Sequence, residues 1–264
     1  MMEFILIIGF IILLIWAFST NIFIGFILLI GILAYYYFKR FASLCHLMAL
    51  RCYGNGDING AFRWFERGEK RGMNTSQKIT YAYYLMREGR VERSEALLNS
   101  VLAFREKDPK IRFTAKSNHA VLMLKTGRLE EALEEFEEIF EVYKTTTVYG
   151  SLGYIYILKG DMEKAEAFNL EAYDYNKDDK VILDNLVQLY NKLEKFEEAY
   201  KYACELMEKK PTFIEAYYNA AVAEIGVGKT EEAKEHLEHA LTVRTCFISA
   251  IHHEDVQKLL DSIA

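Results

Sequence analysis

The sequence predicts an all-α protein, an α-solenoid of about six helix pairs preceded by an apolar helical hairpin. Turn glycines recur at intervals near 34 residues, and a small residue follows each turn at a constant distance. Fixed periods of this length are typical of solenoids that stack one repeated supersecondary unit. Two long apolar runs within the first 40 residues predict the hairpin.

The apolar runs cover residues 4–18 and 22–38, with the polar stretch 19–21 between them and Lys39–Arg40 after them. As helices they extend about 23 and 26 Å, slightly less than a hydrocarbon core of roughly 30 Å. Local thinning of the bilayer can cover this difference. We therefore assign residues 1–40 to a transmembrane hairpin, with one long tilted or kinked helix as the alternative.

A cleavable secretory signal is the competing interpretation of this end of the chain. Such signals begin with basic residues and end at a small-residue cleavage site. This chain instead begins Met1-Met2-Glu3, and its second apolar run follows the first almost at once. By the positive-inside rule, Lys39 and Arg40 face the cytoplasm. The expected location is the cell membrane, with the repeats on the cytoplasmic side.

Residues 41–246 carry the repeats, which share one register. The turn positions are Gly56, Gly89, Gly127, Gly160, Glu194 and Gly228, at intervals of 33, 38, 33, 34 and 34 residues. The residues five positions later are Ala61, Ser94, Ala132, Ala165, Ala199 and Ala233. Each copy is expected to form a helix, a tight turn and a second helix, because glycine at the turn can end the first helix with φ > 0.

A second small position lies seven residues before the turn. It is occupied by Ala49, Ala82, Ala120, Gly153, Val187 and Ala221. Small residues on both helices of a pair allow their axes to approach closely. The 38-residue interval contains about four extra residues, which we place in 106–112.

This register resembles the tetratricopeptide repeat (TPR) family. The fourth copy matches best, through Tyr149, Leu152, Gly153, Tyr156, Gly160, Asp161, Ala165 and Ala172. The first copy matches least, because Gly60 and Gly68 fall within its second helix. The resemblance covers roughly residues 41–244. It implies a TPR-like solenoid whose concave groove binds a protein or peptide.

Within the resemblance, the position nine residues before the turn faces the groove. Asparagine recurs there, and its amide can both donate to and accept from a peptide backbone. A role in packing between repeats explains the recurrence equally well. The predicted groove residues, including neighbours one turn further on, are Asn118, Val121, Ser151, Tyr154, Asn185, Gln188, Asn219 and Val222.

Charge is unevenly distributed in a chain whose net charge is −6. Residues 61–116 contain 13 Lys and Arg against 7 Asp and Glu, whereas residues 117–264 contain 16 against 29. The basic part adjoins the membrane, where it can attract anionic lipid. The acidic part either forms an outer face exposed to solvent or attracts basic partners. Its charge argues against nucleic acid as a partner, because nucleic-acid binding needs a basic surface.

No motif in the chain favours catalysis. Residues 223–230, AEIGVGKT, approximate a phosphate loop, but a real one follows a β-strand, and Gly228 is already the turn of the sixth repeat. His236, His239 and the cluster at 252–255 lack a third convergent metal ligand. We therefore expect no enzyme activity, no cofactor, no metal and no small-molecule substrate.

The leading functional prediction is a membrane-anchored adaptor or scaffold that binds a protein or peptide partner. A fixed structural subunit of a membrane complex is the alternative, and an enzyme using Lys229 or the histidines is the least favoured. Residues 247–264 are expected to form a helix that caps the apolar end of the last repeat.

Overall fold

The computed structural model describes residues 2–104 and 106–263, with side chains described from residue 8 onward. The described residues form 14 α-helices and no β-strand. The chain divides into two compact units, Met1–Lys78 and Ile79–Ala264. The predicted all-α fold is confirmed for these residues.

The first unit contains α1 (Met2–Thr20), α2 (Ile22–Gly54) and α3 (Ile58–Lys70). Asn21 alone separates α1 from α2. Its backbone is extended, and its side chain accepts a hydrogen bond of 2.8 Å from the N–H of Phe23, which caps α2. Helix α2 passes without interruption from the second apolar run into the first repeat.

Helices α1 and α2 pack side by side in opposite directions. A Cβ atom on Gly25 would lie 2.3 Å from the ring of Phe18, so only glycine allows this ring to rest on α2. Further along, the ring of Phe10 lies 6.4 and 6.2 Å from those of Tyr35 and Tyr36. The two apolar runs therefore form a helical hairpin.

Most of the hairpin surface is apolar and outward-facing. Ile22–Gly54 is long and apolar enough to cross a membrane, with a mean hydropathy of 2.0 over its most apolar window, of which 6% is buried. The part of α1 whose side chains are described, Ile8–Thr20, is also apolar. Phe23 and Ile27 are 74% and 71% exposed. A membrane span is consistent with this composition, as is a signal sequence near an N-terminus.

Helix α3 folds back along α2. A Cβ atom on Gly68 would lie 3.1 Å from Cβ of Cys45 and 3.3 Å from the carbonyl oxygen of Ala42, so the two helices approach closely at this glycine. Earlier on α3, the ring of Phe65 lies 5.8 Å from that of His46. The glycine that weakens the first repeat as a TPR match therefore serves this contact.

Helix pairs continue through the second unit, and α4 crosses the boundary between the units. The helices are α4 (Thr75–Arg87), α5 (Val91–Leu102), α6 (Pro109–Lys125), α7 (Leu129–Val142), α8 (Thr146–Lys159), α9 (Met162–Tyr175), α10 (Lys180–Lys192), α11 (Phe196–Glu208), α12 (Ile214–Gly226), α13 (Thr230–Ala240) and α14 (His253–Ser262). The predicted register places every turn correctly between the two helices of a pair.

The turn does not require glycine. The five turn glycines have φ between 69° and 82°, and Glu194 adopts the same left-handed conformation with φ of 55°. After Glu194, the N–H of Lys195 donates to the carbonyl oxygen of Tyr190 at 2.9 Å, matching the bond from Arg128 to Met123 in the third repeat. This bond closes the end of a helix after a left-handed residue.

The small residues after the turns form the innermost layer of each pair. All six are fully buried. The one serine among them, Ser94, donates its hydroxyl to the carbonyl oxygen of Ala82 at 2.8 Å. This bond satisfies the buried hydroxyl group of Ser94, which stands where the other five copies have alanine.

Two predicted boundaries differ from the structure. The extra residues of the 38-residue interval partly extend α6, which begins at Pro109 behind the cap of Asp108 and has 17 residues. The last helix begins at His253 rather than at Phe247, because His252 and Asp255 form a capping box there. Residues 241–252 are irregular.

Candidate peptide-binding groove

The first helices of the third to sixth repeats, α6, α8, α10 and α12, line one groove. A cavity of 260 Å³ lies in it. Its lining residues are Val121, Leu124, Lys125, Gly150, Ser151, Tyr154, Val181, Asp184, Asn185, Phe213, Glu215, Ile248 and Ala250. The lining is mainly apolar with a few convergent polar groups, as is usual for binding sites.

Four of the eight predicted groove residues line this cavity: Val121, Ser151, Tyr154 and Asn185. The other four, Asn118, Gln188, Asn219 and Val222, do not. Asn118, Gln188 and Val222 are half-buried, whereas Asn219 is buried. The predicted set therefore overlaps the cavity lining in part, and binding of a peptide by these residues stays a prediction.

Two of the recurring asparagines join neighbouring repeats. Asn185 is 2% exposed, and its Nδ2 donates to the carbonyl oxygen of Gly150 at 2.8 Å. Asn219 is 6% exposed, and its Nδ2 donates to Oδ1 of Asp184 at 2.9 Å. Each bond reaches back one repeat. These amides are therefore part of the stacking contact, and a role in peptide binding stays a prediction.

A third buried amide stabilises the inside of the fourth repeat. Asn169 is fully buried, and its Nδ2 donates to the carbonyl oxygens of Gly153 and Ala165 at 3.1 and 2.9 Å. A Cβ atom on Gly153 would lie 2.2 Å from Oδ1 of Asn169 and 3.0 Å from Nδ2 of Asn185. Glycine at this position therefore makes room for both amides. The helix register predicted a small residue here but not its polar neighbours.

The cavity contains an unusual acidic group. Burial raises the pKa of Asp184 to about 7, an effect that Glu215 strengthens and the hydrogen bond from Asn219 opposes. Burial also lowers the pKa of Lys125, whose Nζ lies 5.7 Å from the centre of the Tyr154 ring. Within this cavity, Asp184 therefore changes its protonation near neutral pH.

The irregular segment after the sixth repeat enters the groove. We call residues 243–251 the C-terminal loop. The N–H of Phe247 donates to the carbonyl oxygen of Arg87 at 2.9 Å, and Arg244 pairs with Glu88 at 2.7 Å. At its other end the N–H of Ala250 donates to Oε1 of Glu215 at 2.5 Å. The loop therefore connects the second repeat with the sixth across the groove.

Side chains of the C-terminal loop complete the cavity wall. Ile248 and Ala250 line the cavity, and the ring of Phe247 packs against Gly89. The N–H of Ser249 donates to the carbonyl oxygen of Cys246 at 2.9 Å and so forms a turn. This turn lets the side chains of Phe247 and Ile248 point in different directions. This contact has no signal in the sequence, because the partners are far apart in the chain.

The acidic second helices make contacts both within and between repeats. Tyr149, Tyr156, Tyr173 and Tyr200 each donate a hydroxyl to a glutamate, namely Glu171, Glu137, Glu205 and Glu232. Lys159 and Lys195 pair with Glu130 and Glu166 of the preceding repeats. Many of the glutamate side chains on the second helices are therefore engaged in contacts with neighbouring helices. Attraction of basic partners stays a prediction.

The segment that approximates a phosphate loop is an ordinary repeat turn. A helix, α12, precedes it, and Lys229 pairs with Glu232 at 2.8 Å. His236 is hydrogen-bonded to Glu224 at 2.8 Å, which raises the pKa of the histidine. No group of three or more metal-binding side chains occurs among the residues that the structure describes.

Comparison with known proteins identifies the repeats. The sequence profile described as tetratricopeptide repeat matches residues 146–179 and 214–245, which hold the fourth and sixth helix pairs. The chain therefore contains TPR repeats, as the register predicted. Proteins of this class bind protein or peptide partners and are generally non-enzymatic scaffolds. A search of curated proteins finds no significant match.

Solved structures support the fold. TTC0263, a TPR protein of Thermus thermophilus, is 18% identical with a TM-score of 0.58, covering 72% of this chain and 98% of that one. PilW, a type IV pilus biogenesis factor, is 13% identical with a TM-score of 0.61, covering 84% and 99%. A chain of the APC/C Cut9–Hcn1 assembly is 16% identical with a TM-score of 0.65, covering 84% and 42%.

Proposed function

We propose that this protein is a membrane-anchored TPR adaptor that binds a protein or peptide segment in its groove, on the cytoplasmic side of the cell membrane. The apolar hairpin would be the anchor and the repeats the binding part. The observation that carries the binding proposal is the C-terminal loop, because the chain itself places a short peptide segment in the groove.

The contacts of the loop define what a partner segment needs. Ile248 and Ala250 offer small and medium-sized apolar side chains to the cavity. The backbone N–H of Ala250 donates to the carboxylate of Glu215. A partner with apolar side chains and an accessible backbone N–H can make the same contacts once the loop has moved out. Such a partner binds in competition with the loop.

The membrane part of the proposal rests on the surface of the hairpin. Large apolar side chains on α1 and α2 point outward, among them Trp16 at 62% and Ile30 at 63% exposure. Exposing this apolar surface to water is unfavourable in free energy, whereas contact with lipid hydrocarbon is not. Lys39 and Arg40 directly follow the second run, which favours a cytoplasmic position for what comes after.

A peptide with the sequence of residues 243–251, with serine at the cysteine position, tests the groove directly. It is labelled and titrated into full-length protein in detergent, and binding is followed by fluorescence anisotropy. The double variant Arg244→Gln/Phe247→Ser loosens the internal loop. It should bind the peptide about tenfold more tightly than the unchanged protein, because its groove is open for a larger fraction of the time.

Two further variants complete this experiment. Adding Tyr154→Ala to the double variant should remove the gain, because the cavity loses a wall. Gln257→Ala/Lys258→Gln changes two exposed residues of α14 and serves as the matched control. Equal peptide affinity in all four proteins, or no binding in any, would contradict the proposal.

A further inference from the structure

A second cavity lies in the first unit, where α2 leaves the apolar run. Its volume is 460 Å³, which is within the range of small-ligand sites. The lining combines three aromatic and three basic residues: Tyr37, Phe41, Trp64, Arg67, Lys70 and Arg71. Neither carboxylate of α3, Glu66 or Glu69, lines it.

The fold brings these residues together from two separate places in the sequence. Tyr37 and Phe41 are one turn apart on α2, at the end of the second apolar run. Helix α3 runs back along α2, as the close approach at Gly68 requires, so its basic end returns to this level. Arg67 and Arg71 therefore lie near Lys39–Arg40, at the same end of the apolar run.

The aromatic rings position the cations without neutralising them. The guanidinium of Arg67 lies 5.0 Å from the centre of the Trp64 ring, and that of Arg71 lies 5.7 Å from the Phe41 ring. Among the described residues, Arg67, Lys70 and Arg71 form no ion pair. Three positive charges therefore meet in one cavity with their hydrogen-bond donors available for an anion.

We infer that this cavity binds the phosphate group of an anionic phospholipid headgroup. Guanidinium groups bind phosphate oxygens in pairs, and an added ammonium contributes a further charge. Tyrosine and tryptophan are suited to the headgroup level of a bilayer, where one side of the ring meets hydrocarbon and the other meets water. The inference rests on the proposed membrane anchoring, because the hairpin would hold the cavity at that level.

Trp64 provides a signal from within the cavity. The chain has two tryptophans, so Trp16→Phe leaves Trp64 as the only one. This full-length protein is reconstituted into phosphatidylcholine vesicles with increasing fractions of phosphatidylglycerol. Trp64 emission should change and saturate with the anionic lipid. The triple variant Arg67→Gln/Lys70→Gln/Arg71→Gln should require about tenfold more phosphatidylglycerol, because its phosphate donors are lost.

A matched variant separates this site from general charge attraction. Arg51→Gln/Arg63→Gln/Lys78→Gln removes the same charge from the same unit at positions outside the cavity. It should retain the response of the unchanged protein. If both triple variants weaken the response equally, the inference is wrong. Helicity by circular dichroism confirms that each variant is folded.

A detergent experiment distinguishes lipid from free phosphate and does not depend on membrane insertion. Short-chain phosphatidylglycerol, short-chain phosphatidylcholine and inorganic phosphate are titrated separately against the Trp16→Phe protein in detergent. Only the anionic lipid should change Trp64 emission. A full response to inorganic phosphate alone would overturn the lipid assignment. Carbonate extraction from vesicles tests the membrane anchoring separately. If carbonate removes the protein from the vesicles, the proposed function is wrong, whereas the detergent titration still shows whether the cavity binds anionic lipid.

Discussion

The backbone N–H of Phe247 donates to the carbonyl oxygen of Arg87 at 2.9 Å, and this bond joins the chain after the sixth repeat to the end of the first helix of the second. The ion pair of Arg244 with Glu88 lies beside it. At the other end of the loop, the N–H of Ala250 donates to Glu215 on α12, so these contacts together hold the C-terminal loop across the groove that a partner would use.

The loop should open locally when its ion pair is removed. Arg244 is about half exposed, so Arg244→Gln should cost only about 0.5–1 kcal/mol. Hydrogen exchange at the amides of Phe247 and Ala250 should become about two- to fivefold faster, while the amides of α10 and α12 keep their rates. Lys258→Gln on α14 is the control. Unchanged exchange at Phe247 would mean that the pair does not hold the loop.

Gly153 should not tolerate a large side chain. Gly153→Leu forces its side chain against Asn169 and Asn185, which should lower the free energy of unfolding by about 1–3 kcal/mol. The loss of an interior helical glycine offsets roughly 1 kcal/mol of this. Thermal unfolding followed by circular dichroism measures the result. Gly54→Leu is the control, because a Cβ atom there meets nothing within 4 Å. Equal melting temperatures for the two variants would refute the steric explanation.

Stability should depend on pH through Asp184. Its pKa is about 7 in the folded protein, well above the 3.8 of an unperturbed aspartate. The folded state thus holds a proton that the unfolded state releases, so stability is present at low pH and is lost as pH rises through about 7. Between about pH 5.5 and about pH 8 this loss is about 2 kcal/mol.

Asp184→Asn isolates this effect, because the amide carbonyl can still accept the bond from Asn219 and no longer titrates. The pKa of His236 is also raised, so that residue changes stability in the same direction in both proteins. Chemical denaturation across the pH range should therefore give a flatter profile for Asp184→Asn. Parallel profiles for the two proteins would exclude Asp184 as the titrating group.

Orientation in the membrane is a further prediction. A hairpin formed by α1 and α2 places both ends of the chain in the cytoplasm, given Lys39–Arg40 after the second run. A reporter that is active only in the cytoplasm should work at either end. Activity at the C-terminal end alone would indicate a single span.

The repeat register could be predicted from the sequence because it depends on local signals. Turn residues such as Gly127 and the buried Ala132 act through their immediate neighbours, so their spacing was sufficient to define the register. Glu194 could be placed in a left-handed turn only because five other copies have glycine there. The asparagine recurrence was visible too, but an amide suits a groove and a seam between helices equally well, so only the structure revealed the bonds of Asn185 and Asn219.

Contacts between distant parts of the chain were not predictable in this way. The sequence predicts that residues 247–251 belong to the last helix, whereas they form part of the C-terminal loop. Its partners at Arg87 and Glu215 carry no local signal of that contact. The basic cavity of the first unit could not be predicted from the sequence for the same reason. Arg67 and Arg71 are visible as a basic cluster, but their approach to Tyr37 depends on α3 folding back along α2.

The final prediction separates the groove from the outer face as the binding surface. Tyr154 lines the cavity and is half-buried, so Tyr154→Ala should weaken peptide binding about tenfold while helicity and membrane insertion stay unchanged. Asn185→Ala with Asn219→Ala should also weaken it, but with a loss of about 1–3 kcal/mol in stability, because each variant leaves a buried partner unsatisfied.

Charge reversal on the outer face is the contrast to these variants. Glu134→Lys/Glu141→Lys alters two exposed residues on α7 and should leave peptide affinity within about twofold of the unchanged protein. Affinity and unfolding are measured on the same preparations, by anisotropy and by thermal denaturation. If the charge reversal abolishes binding while Tyr154→Ala does not weaken it, the partner binds the acidic outer face. A loss restricted to Tyr154→Ala and the asparagine variant assigns binding to the groove, because Tyr154 and Asn185 line its cavity and Glu134 does not.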